Sequence, residues 1–292
     1  MKPGVAEAAG LVAPGAVYSG GSTAQRKLNS LRPYVGYSQI VQIAPIFDSN
    51  YNSLQSQLIK RFSGGNTVTG TYTWSHGMTD NQTDRSTGLL YTYCKRCEYG
   101  RSQLDRRNVG TINYVYNLPF LREQGGFIGR VLGGWELSGI LVANSGLPIT
   151  PFELRGFGDV AAGGVSGPGA PNNGRAATPR PVQVSDPNSG APHTQSEWFN
   201  TAAFVAPTTN DVRLTAHRGA INGPGFWRYD QSLMKNFKIY ESLNLTFRAE
   251  AFNLFNHTNY NSVGATLGTS TFGQVLSVRD PRILQLSLKL QF

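Results

Sequence analysis

Two cysteines separated by two residues are the feature of this sequence with the most obvious chemistry. Cys94 and Cys97 flank Lys95 and Arg96, and the chain has no other cysteine. A redox-active pair of this spacing needs a following helix to lower the thiolate pKa, and the sequence here predicts none. A metal site would need further ligands nearby. A small disulfide in an oxidising compartment is the favoured interpretation, with free or metal-bound thiols and catalytic redox chemistry as alternatives.

The histidines form no recognisable catalytic or metal-binding motif. They are His76, His193, His217 and His257, and none has a partner at metal-ligand or triad spacing. An acid and base set is conceivable for His76 with Asp80 and Asp84. The same Asp-rich stretch is more simply a solvated loop. The sequence therefore predicts a protein that is not an enzyme and uses no metal or cofactor.

Composition narrows the fold class. Glycine contributes 34 of 292 residues, and charged residues contribute 15%, below the ~25% that is usual for soluble domains. An aromatic content of 11% argues against intrinsic disorder. The net charge of +9 comes from scattered basic residues with no nucleic-acid-binding motif, so no nucleic-acid partner is expected. These features indicate a glycine- and aromatic-rich β protein.

Strict alternation of apolar and polar residues predicts the strands that would position these groups. The clearest segments are residues 67–75, 111–118, 243–251 and 284–292, and weaker ones are 51–62, 135–144, 229–239 and 38–47. These strands, about eight in all, reach roughly 10 to 13 residues, which suits a tilted membrane crossing. A soluble sandwich would show the same alternation with its apolar face turned inward.

The connections between these strands alternate in length. Residues 63–66, 119–134 and 240–242 form the shorter ones, and residues 77–107, 146–228 and 256–281 the longer ones. Outer-membrane barrels have short periplasmic turns and long outer loops, so short and long connections alternate along their chains. Nothing in a sandwich requires such an alternation. The sequence thus predicts an all-β, antiparallel transmembrane β-barrel with long extracellular loops. The longest of these, at about residues 146–227, reads as an irregular loop with an apolar cluster at Trp198, Phe199 and Phe204.

Five charged residues fall on the polar face of the predicted strands. They are Glu136, Asp230, Arg248, Glu250 and Lys289. Because charges inside a barrel need partners, we expect ion pairs across the strands. The alternative is that they contact a plug domain or line a substrate path.

Several stretches together resemble a known family. They include YNSLQSQLIKRFSGG, DRRNVGTINYVYNLPF, LGGWELSGILVANSGLPIT, LNLTFRAEAFNLFNHTNY and DPRILQLSLKLQF. In this order they are similar to the carboxyl-terminal part of Oar-like TonB-dependent outer-membrane receptors. The resemblance extends from about Arg32 to Phe292. It implies a plugged barrel of about 22 strands in a Gram-negative outer membrane, with substrate uptake energised through TonB.

The chain departs from that family pattern, since we find neither a signal peptide nor a plug domain in it. We interpret residues 1–33 as an irregular lead-in and residues 34–292 as a partial barrel, a fragment of a larger receptor. An independent eight-stranded barrel is the alternative. The expected partners are outer-membrane lipid, the barrel-assembly machinery and, in the full-length parent, TonB and the plug domain. An adhesion or surface-interaction barrel without active transport is the alternative function.

The last predicted strand resembles the signature by which outer-membrane proteins are recognised for assembly. Its large apolar residues occupy every second position: Leu284, Leu286, Leu288, Leu290 and Phe292. In a soluble protein such an exposed edge would invite aggregation. We therefore interpret it as the assembly strand of the barrel.

Overall fold

The computed structural model describes most of the chain from residue 45 onward. The described ranges are residues 45–81, 95–121, 123–153, 180–206, 215–239 and 243–292, with Ala8, Gly10, Ser30 and Tyr34 before them. Asp84, Cys94, most of the predicted lead-in 1–33 and residues 38–44 of the weakest predicted strand lie outside these residues. Residues 45–47 are described and are not part of a strand.

The described residues form many strands and one short helix. The strands are β1 (Ser49–Arg61), β2 (Thr67–Thr79), β3 (Gly100–Arg101), β4 (Asn108–Asn117), β5 (Trp135–Asn144), β6 (Pro148–Ile149), β7 (Phe152–Glu153), β8 (Val182–Gln183), β9 (Phe204–Val205), β10 (Ile221–Asn222), β11 (Phe226–Lys238), β12 (Asn244–Phe252), β13 (Tyr260–Val263), β14 (Thr266–Leu267), β15 (Val275–Val278) and β16 (Ile283–Gln291). The helix α1 spans Gly126–Leu132, and 3-10 turns lie at Ser63–Gly65, Lys95–Glu98 and Thr201–Ala203. No helix of the described part has the length and apolar content needed to cross a membrane.

The long strands form one antiparallel sheet in the order β1-β2-β4-β5-β11-β12-β16, with β3 added to the end of β2. All of the clear alternating segments of the sequence are strands of this sheet. Strand β2 continues to Thr79, beyond the predicted end at Ser75, because Met78 and Thr79 pair with Arg101 and Gly100 of β3. Successive strands are neighbours, so alternate connections lie at the same end of the sheet.

The register gives the sheet one apolar and one polar face. The apolar face carries Leu54 and Leu58 of β1, Val68, Tyr72 and Trp74 of β2, Ile112, Tyr114 and Tyr116 of β4, Trp135, Leu137 and Leu141 of β5, Leu233 and Phe237 of β11, Leu245 and Phe247 of β12, and the four leucines of β16. Threonine, serine, asparagine, glutamine and charged side chains dominate the other face. This is the pattern of a barrel wall between lipid and a polar lumen.

Both edges of the sheet are open. Every residue of β1 and every residue of β16 is solvent-exposed. Each of these strands pairs on one side only, β1 with β2 and β16 with β12. The sheet is therefore part of an antiparallel barrel wall, as its sequence predicted, and it is not closed on itself.

Polar side chains on the apolar face are satisfied locally. The Tyr114 hydroxyl lies 2.6 Å from the Tyr229 hydroxyl and donates to Gln231 Oε1 at 2.7 Å. A Cβ on Gly139 would lie 2.8 Å from the Tyr114 ring, so the absence of a side chain at Gly139 lets that ring lie over β5. The bonds between these groups offset the cost of placing polar atoms toward lipid.

The connection between β4 and β5 holds the helix α1, which the sequence did not predict. Seven residues with two glycines and no side-chain cap give no periodic signal. The helix exposes Phe127 and Ile128. Beside it, Lys235 of the apolar face is almost fully buried, and its ammonium donates to the Gly133 carbonyl just after the helix.

Candidate functional site

The long connections fold together at one end of the sheet, and their contacts contain the buried apolar core of the described residues. Its members are Phe199, Ala203, Phe204, Ala216, Ile221 and Val263, with Ile149, Trp198, Phe272 and Val275 packed against them. The rings of Phe199, Phe204 and Phe272 meet edge to face with centroids 5.2–6.1 Å apart. We call this assembly of connections, residues 95–107, 145–153, 180–206, 215–225 and 253–282, the cap.

Short sheets also join the parts of the cap. Strand β10 pairs with β6, β8 with β9 and β13 with β15, all antiparallel, whereas β14 pairs with β7 in parallel. The β14–β7 pair links the connection after β12 to the one after β5. The predicted apolar cluster of Trp198, Phe199 and Phe204 therefore docks onto other connections of the cap.

A buried carboxylate joins two connections of the cap. Glu98 is 2% exposed, and its Oε1 lies 3.0 Å from Arg180 Nη2, while its Oε2 lies 2.7 Å from Arg218 Nη2. Burial lowers the pKa of Arg180, and the charge of Glu98 opposes that shift. Breaking such a pair leaves a buried charge uncompensated. Glu98 is thus the ionic link between residues 95–107 and the longest connection.

A second buried carboxylate organises the end of β2. The Asp105 side chain is fully buried, accepts a hydrogen bond from the Gly77 amide at 2.8 Å and binds Arg101 Nε at 2.9 Å. His76 Nδ1 lies 3.4 Å from Asp105 Oδ2, and Arg107 Nη2 lies 2.9 Å from the same nitrogen. Burial alone would raise the pKa of Asp105, but the bonds from Gly77 and Arg101 outweigh it and lower that pKa.

A lysine of the cap bridges two aspartates near the start of β1. Lys95 Nζ lies 2.6 Å from Asp48 Oδ2 and 3.3 Å from Asp80 Oδ2. The hydrogen bond with Asp48 raises the pKa of Lys95. Asp80 also accepts a bond from the Asp48 amide at 2.8 Å. This contact fixes the cap against the edge of the sheet.

The acid and base set considered from the sequence is not assembled. His76 lies in β2 and binds Asp105, whereas Asp80 binds Lys95, and Asp84 lies outside the described residues. The sequence missed Asp105 because 29 residues separate it from His76. The imidazole rings of His193 and His257 contact the rings of Trp198 and Trp227. In the described ranges no three His, Cys, Asp or Glu side chains are grouped to bind a metal.

A cavity of about 510 Å³ opens between the two ionic clusters. It is bounded by the end of β2, by β3 and by the segment around β10, and its charged lining residues are Arg101, Arg107 and Arg218, with His217 beside them. Amide side chains of Asn188 and Asn222 complete its polar wall. Arginine side chains are suited to bind anionic groups, since their planar forks donate two parallel hydrogen bonds.

The sheet with one lipid-type face and a folded cap at one end has the architecture of an outer-membrane barrel wall. A family model described as "Outer membrane beta barrel domain" matches residues 6–285. The chain belongs to this family. Its location is accordingly the outer membrane. No curated protein and no solved structure matches the chain.

The five charged residues expected in the lumen of this outer membrane beta barrel domain share one face of the sheet. Glu136 lies opposite Met234, Asp230 opposite Ile140, Arg248 opposite Ser287, Glu250 opposite Gln285 and Lys289 opposite Thr246. The ion pairs lie along single strands rather than across them: Arg228 with Asp230 at 2.9 Å and Arg248 with Glu250 at 3.6 Å. Glu136 and Lys289 make no ion pair with the described residues. The expected pairing across strands is thus absent there, because uncharged residues occupy the opposing positions.

The strand that the sequence predicts to be the assembly strand is β16, one of the two open edges of the sheet. Leu284, Leu286, Leu288 and Leu290 project from its apolar face with 53–73% of their surface exposed, and Phe292 is 99% exposed. Such a strand would destabilise a protein in water, because about 25 cal/mol is lost for each Å² of apolar surface left hydrated. Its role as a recognition signal for the assembly machinery stays a prediction.

The cysteine motif of the barrel domain lies beside the Glu98 cluster. Cys97 is disulfide-bonded, and its carbonyl accepts a bond from Arg180 Nη2 at 3.3 Å. Cys94 lies outside the described residues. The pairing of Cys94 with Cys97 therefore stays a prediction, although the sequence holds no third cysteine.

Proposed function

We propose that this barrel domain is part of a TonB-dependent outer-membrane receptor, similar to Oar-like receptors, and takes part in active uptake. In this proposal the sheet is a section of the wall around a movable plug. The cap lies outside the cell and captures the ligand. We assign no catalytic role to the chain.

The observation that carries the proposal is the contrast between the two ends of the sheet. At one end the connections are short, and at the other they fold into a cap with its own buried core and ionic links. A folded, internally linked loop assembly can hold binding groups in fixed positions, as a receptor requires. The open edges β1 and β16 additionally favour a larger barrel, because a wall in lipid must have every backbone group paired.

Cross-linking tests whether the wall belongs to a larger barrel. Gln57→Cys in β1 and Ser287→Cys in β16, in a chain with Cys94 and Cys97 replaced by serine, place single thiols on the two edges. We expect no cross-link between them with a short bis-maleimide in the native membrane. The control pair, Thr246→Cys with Lys289→Cys, joins register partners and should react fully. An equally efficient β1–β16 cross-link would show a small closed barrel and contradict a receptor of this type.

The transport function has its own test. The reading frame directly upstream in the genome should encode a signal peptide and a plug domain in frame, and uptake by the host should be lost when TonB is deleted. A complete promoter directly upstream, with no such segments, would refute the proposal. In that outcome the cap is an adhesion or surface-assembly module, and surface binding by the host would not depend on TonB.

A further inference from the structure

The cavity of the cap has a strongly cationic wall. Arg101, Arg107, His217 and Arg218 line it, and none of its lining residues among the described ranges is an aspartate or glutamate. The carboxylates that bind Arg101 and Arg218, Asp105 and Glu98, are 3% and 2% exposed and do not line the cavity. The open space therefore meets positive charge and hydrogen-bond donors.

Each arginine of this wall also contacts a buried carboxylate. Glu98 binds Arg180 and Arg218, and Asp105 binds Arg101 and lies 3.8 Å from Arg107. Arg101, Arg107 and Arg218 thus place three guanidinium groups around one space. Converging positive charge at a partly desolvated wall favours an anion in that space.

Donors are also left over at this wall. Arg107 keeps 36% of its side-chain surface exposed and lines the cavity. The imidazole of His217 makes no hydrogen bond with the described residues. The His217 imidazole is therefore available to donate to an anionic oxygen in the cavity.

The backbone holds the arginines in place. A Cβ on Gly100 would lie 2.8 Å from the backbone oxygen of Arg218, and one on Gly219, at φ 63°, would lie 2.8 Å from Arg101 Cβ. These two glycines allow β3 and the segment before β10 to approach closely enough for Arg101 and Arg218 to share one wall. Arg101 is further fixed by Asn222 Oδ1 at 2.6 Å. The donors are therefore preorganised, which lowers the cost of binding.

We propose that this cavity binds a phosphate-bearing anion, through Arg107, His217 and Arg218. This inference names a ligand class for the proposed receptor. It rests on the proposed function only for the uptake of the bound ligand, and not for binding itself. Arginine forks and an imidazole match the several oxygens of a phosphoryl group. The ligand is either a free phosphorylated solute or the phosphorylated headgroup of a lipid.

Calorimetric titration with pyrophosphate tests the site. The full chain, folded in neutral detergent and checked for β-sheet by circular dichroism, is titrated at 0.15 M salt. We expect His217→Gln and Arg107→Gln each to weaken binding by about tenfold, which corresponds to one charge-assisted contact. His217→Gln is the critical variant, because the imidazole holds no other part of the fold. Arg282→Gln, on the same end of the sheet and outside the cavity, should bind like the parent chain.

Two results would overturn the site: absence of pyrophosphate binding by the unaltered chain, or an equal loss in Arg282→Gln, which would show diffuse attraction only. Competition by phosphatidylglycerol vesicles, compared with phosphatidylcholine vesicles, then assigns the source. Displacement of pyrophosphate indicates a lipid headgroup, and no displacement indicates a free solute. Calorimetry measures binding and does not depend on TonB. The anion site can therefore be confirmed even where TonB-dependent uptake is refuted, and the reverse also holds.

Discussion

Asp105 is a residue that connects the sheet to the cap. Its carboxylate accepts a hydrogen bond from the Gly77 amide in β2, binds Arg101 of β3 and lies beside His76 and Arg107. A neutral side chain at position 105 could keep the hydrogen bond from Gly77, but it would lose the ionic contacts with Arg101 and Arg107. A fully buried carboxylate with several donors is strongly favoured in its charged form.

We expect Asp105→Asn to lower the free energy of unfolding by about 1.5–3 kcal/mol, the usual value for hydrogen bonds to a charged group. The loss should be local, because Arg101 and Arg107 would lose their common anion. Urea unfolding followed by tryptophan fluorescence measures it, since Arg107 lies 5.8 Å from the Trp74 ring. Glu123→Gln, in the connection at the opposite end of the sheet, is the matched control. It should leave the free energy of unfolding unchanged.

The same residue predicts an acid transition. The folded pKa of Asp105 lies below its ordinary value, so the stability it contributes is complete above about pH 4. That stability is lost as the pH falls through the lower, folded pKa. A fluorescence titration from pH 6 downward should therefore show a transition below the ordinary aspartate range. Asp105→Asn should lack it, and an unchanged curve in this variant would assign the transition to another group.

At the scale of elements, the cap depends on contacts between connections that are far apart in the sequence. Glu98 lies 82 residues from Arg180 and 120 from Arg218. The aromatic cluster likewise joins Phe199 and Phe204 to Phe272. An apolar core and an ion cluster act together, so the connections should open as one unit.

Glu98→Gln tests this cooperation. It leaves Arg180 and Arg218 buried without an anion, and breaking buried pairs of this kind costs about 3–5 kcal/mol. We expect faster hydrogen exchange in residues 95–107, 180–206 and 215–225, with the exchange of β4 and β5 unchanged. Exchange that rises only in residues 95–107 would show that the connections open independently.

At the scale of the whole molecule, the sheet is a two-faced wall whose apolar face belongs in lipid. Leu286 and Gln285 are neighbours in β16 and point to opposite faces, since Leu286 pairs with Ala249 and Gln285 with Glu250. A charge on the lipid face is costly, whereas a charge in the lumen is solvated.

We therefore expect Leu286→Arg to destabilise the membrane-inserted wall by about 2–4 kcal/mol. Gln285→Arg should be nearly neutral, because it faces Glu250. The measurement is the fraction of protein in the outer membrane that shifts on SDS gels only after boiling. Equal losses in the two variants would contradict the assignment of faces, and a product that is soluble without detergent would contradict a membrane wall.

The sequence by itself determined the seven long strands of the sheet, their faces and the ends at which connections lie, but not the short strands of the cap. Alternation in segments such as 67–75 and 284–292 is a local property, and a shift by one residue would reverse the two faces. It did not reveal the helix α1, whose seven residues carry no periodic signal. It also placed the charges Arg248 and Glu250 on the polar face but did not reveal that they pair along one strand.

Only the tertiary structure decided what the long connections do. The partners of His76, Glu98 and Arg218 come from distant parts of the chain, and such pairings depend on loop geometry that no local pattern encodes. The cationic cavity arises in the same way, from the close approach of Gly100 to Arg218. The alternation of apolar and polar residues therefore specifies the wall, because each strand repeats the same local pattern. The cap is specified by contacts that exist only after the wall has brought its connections to one end.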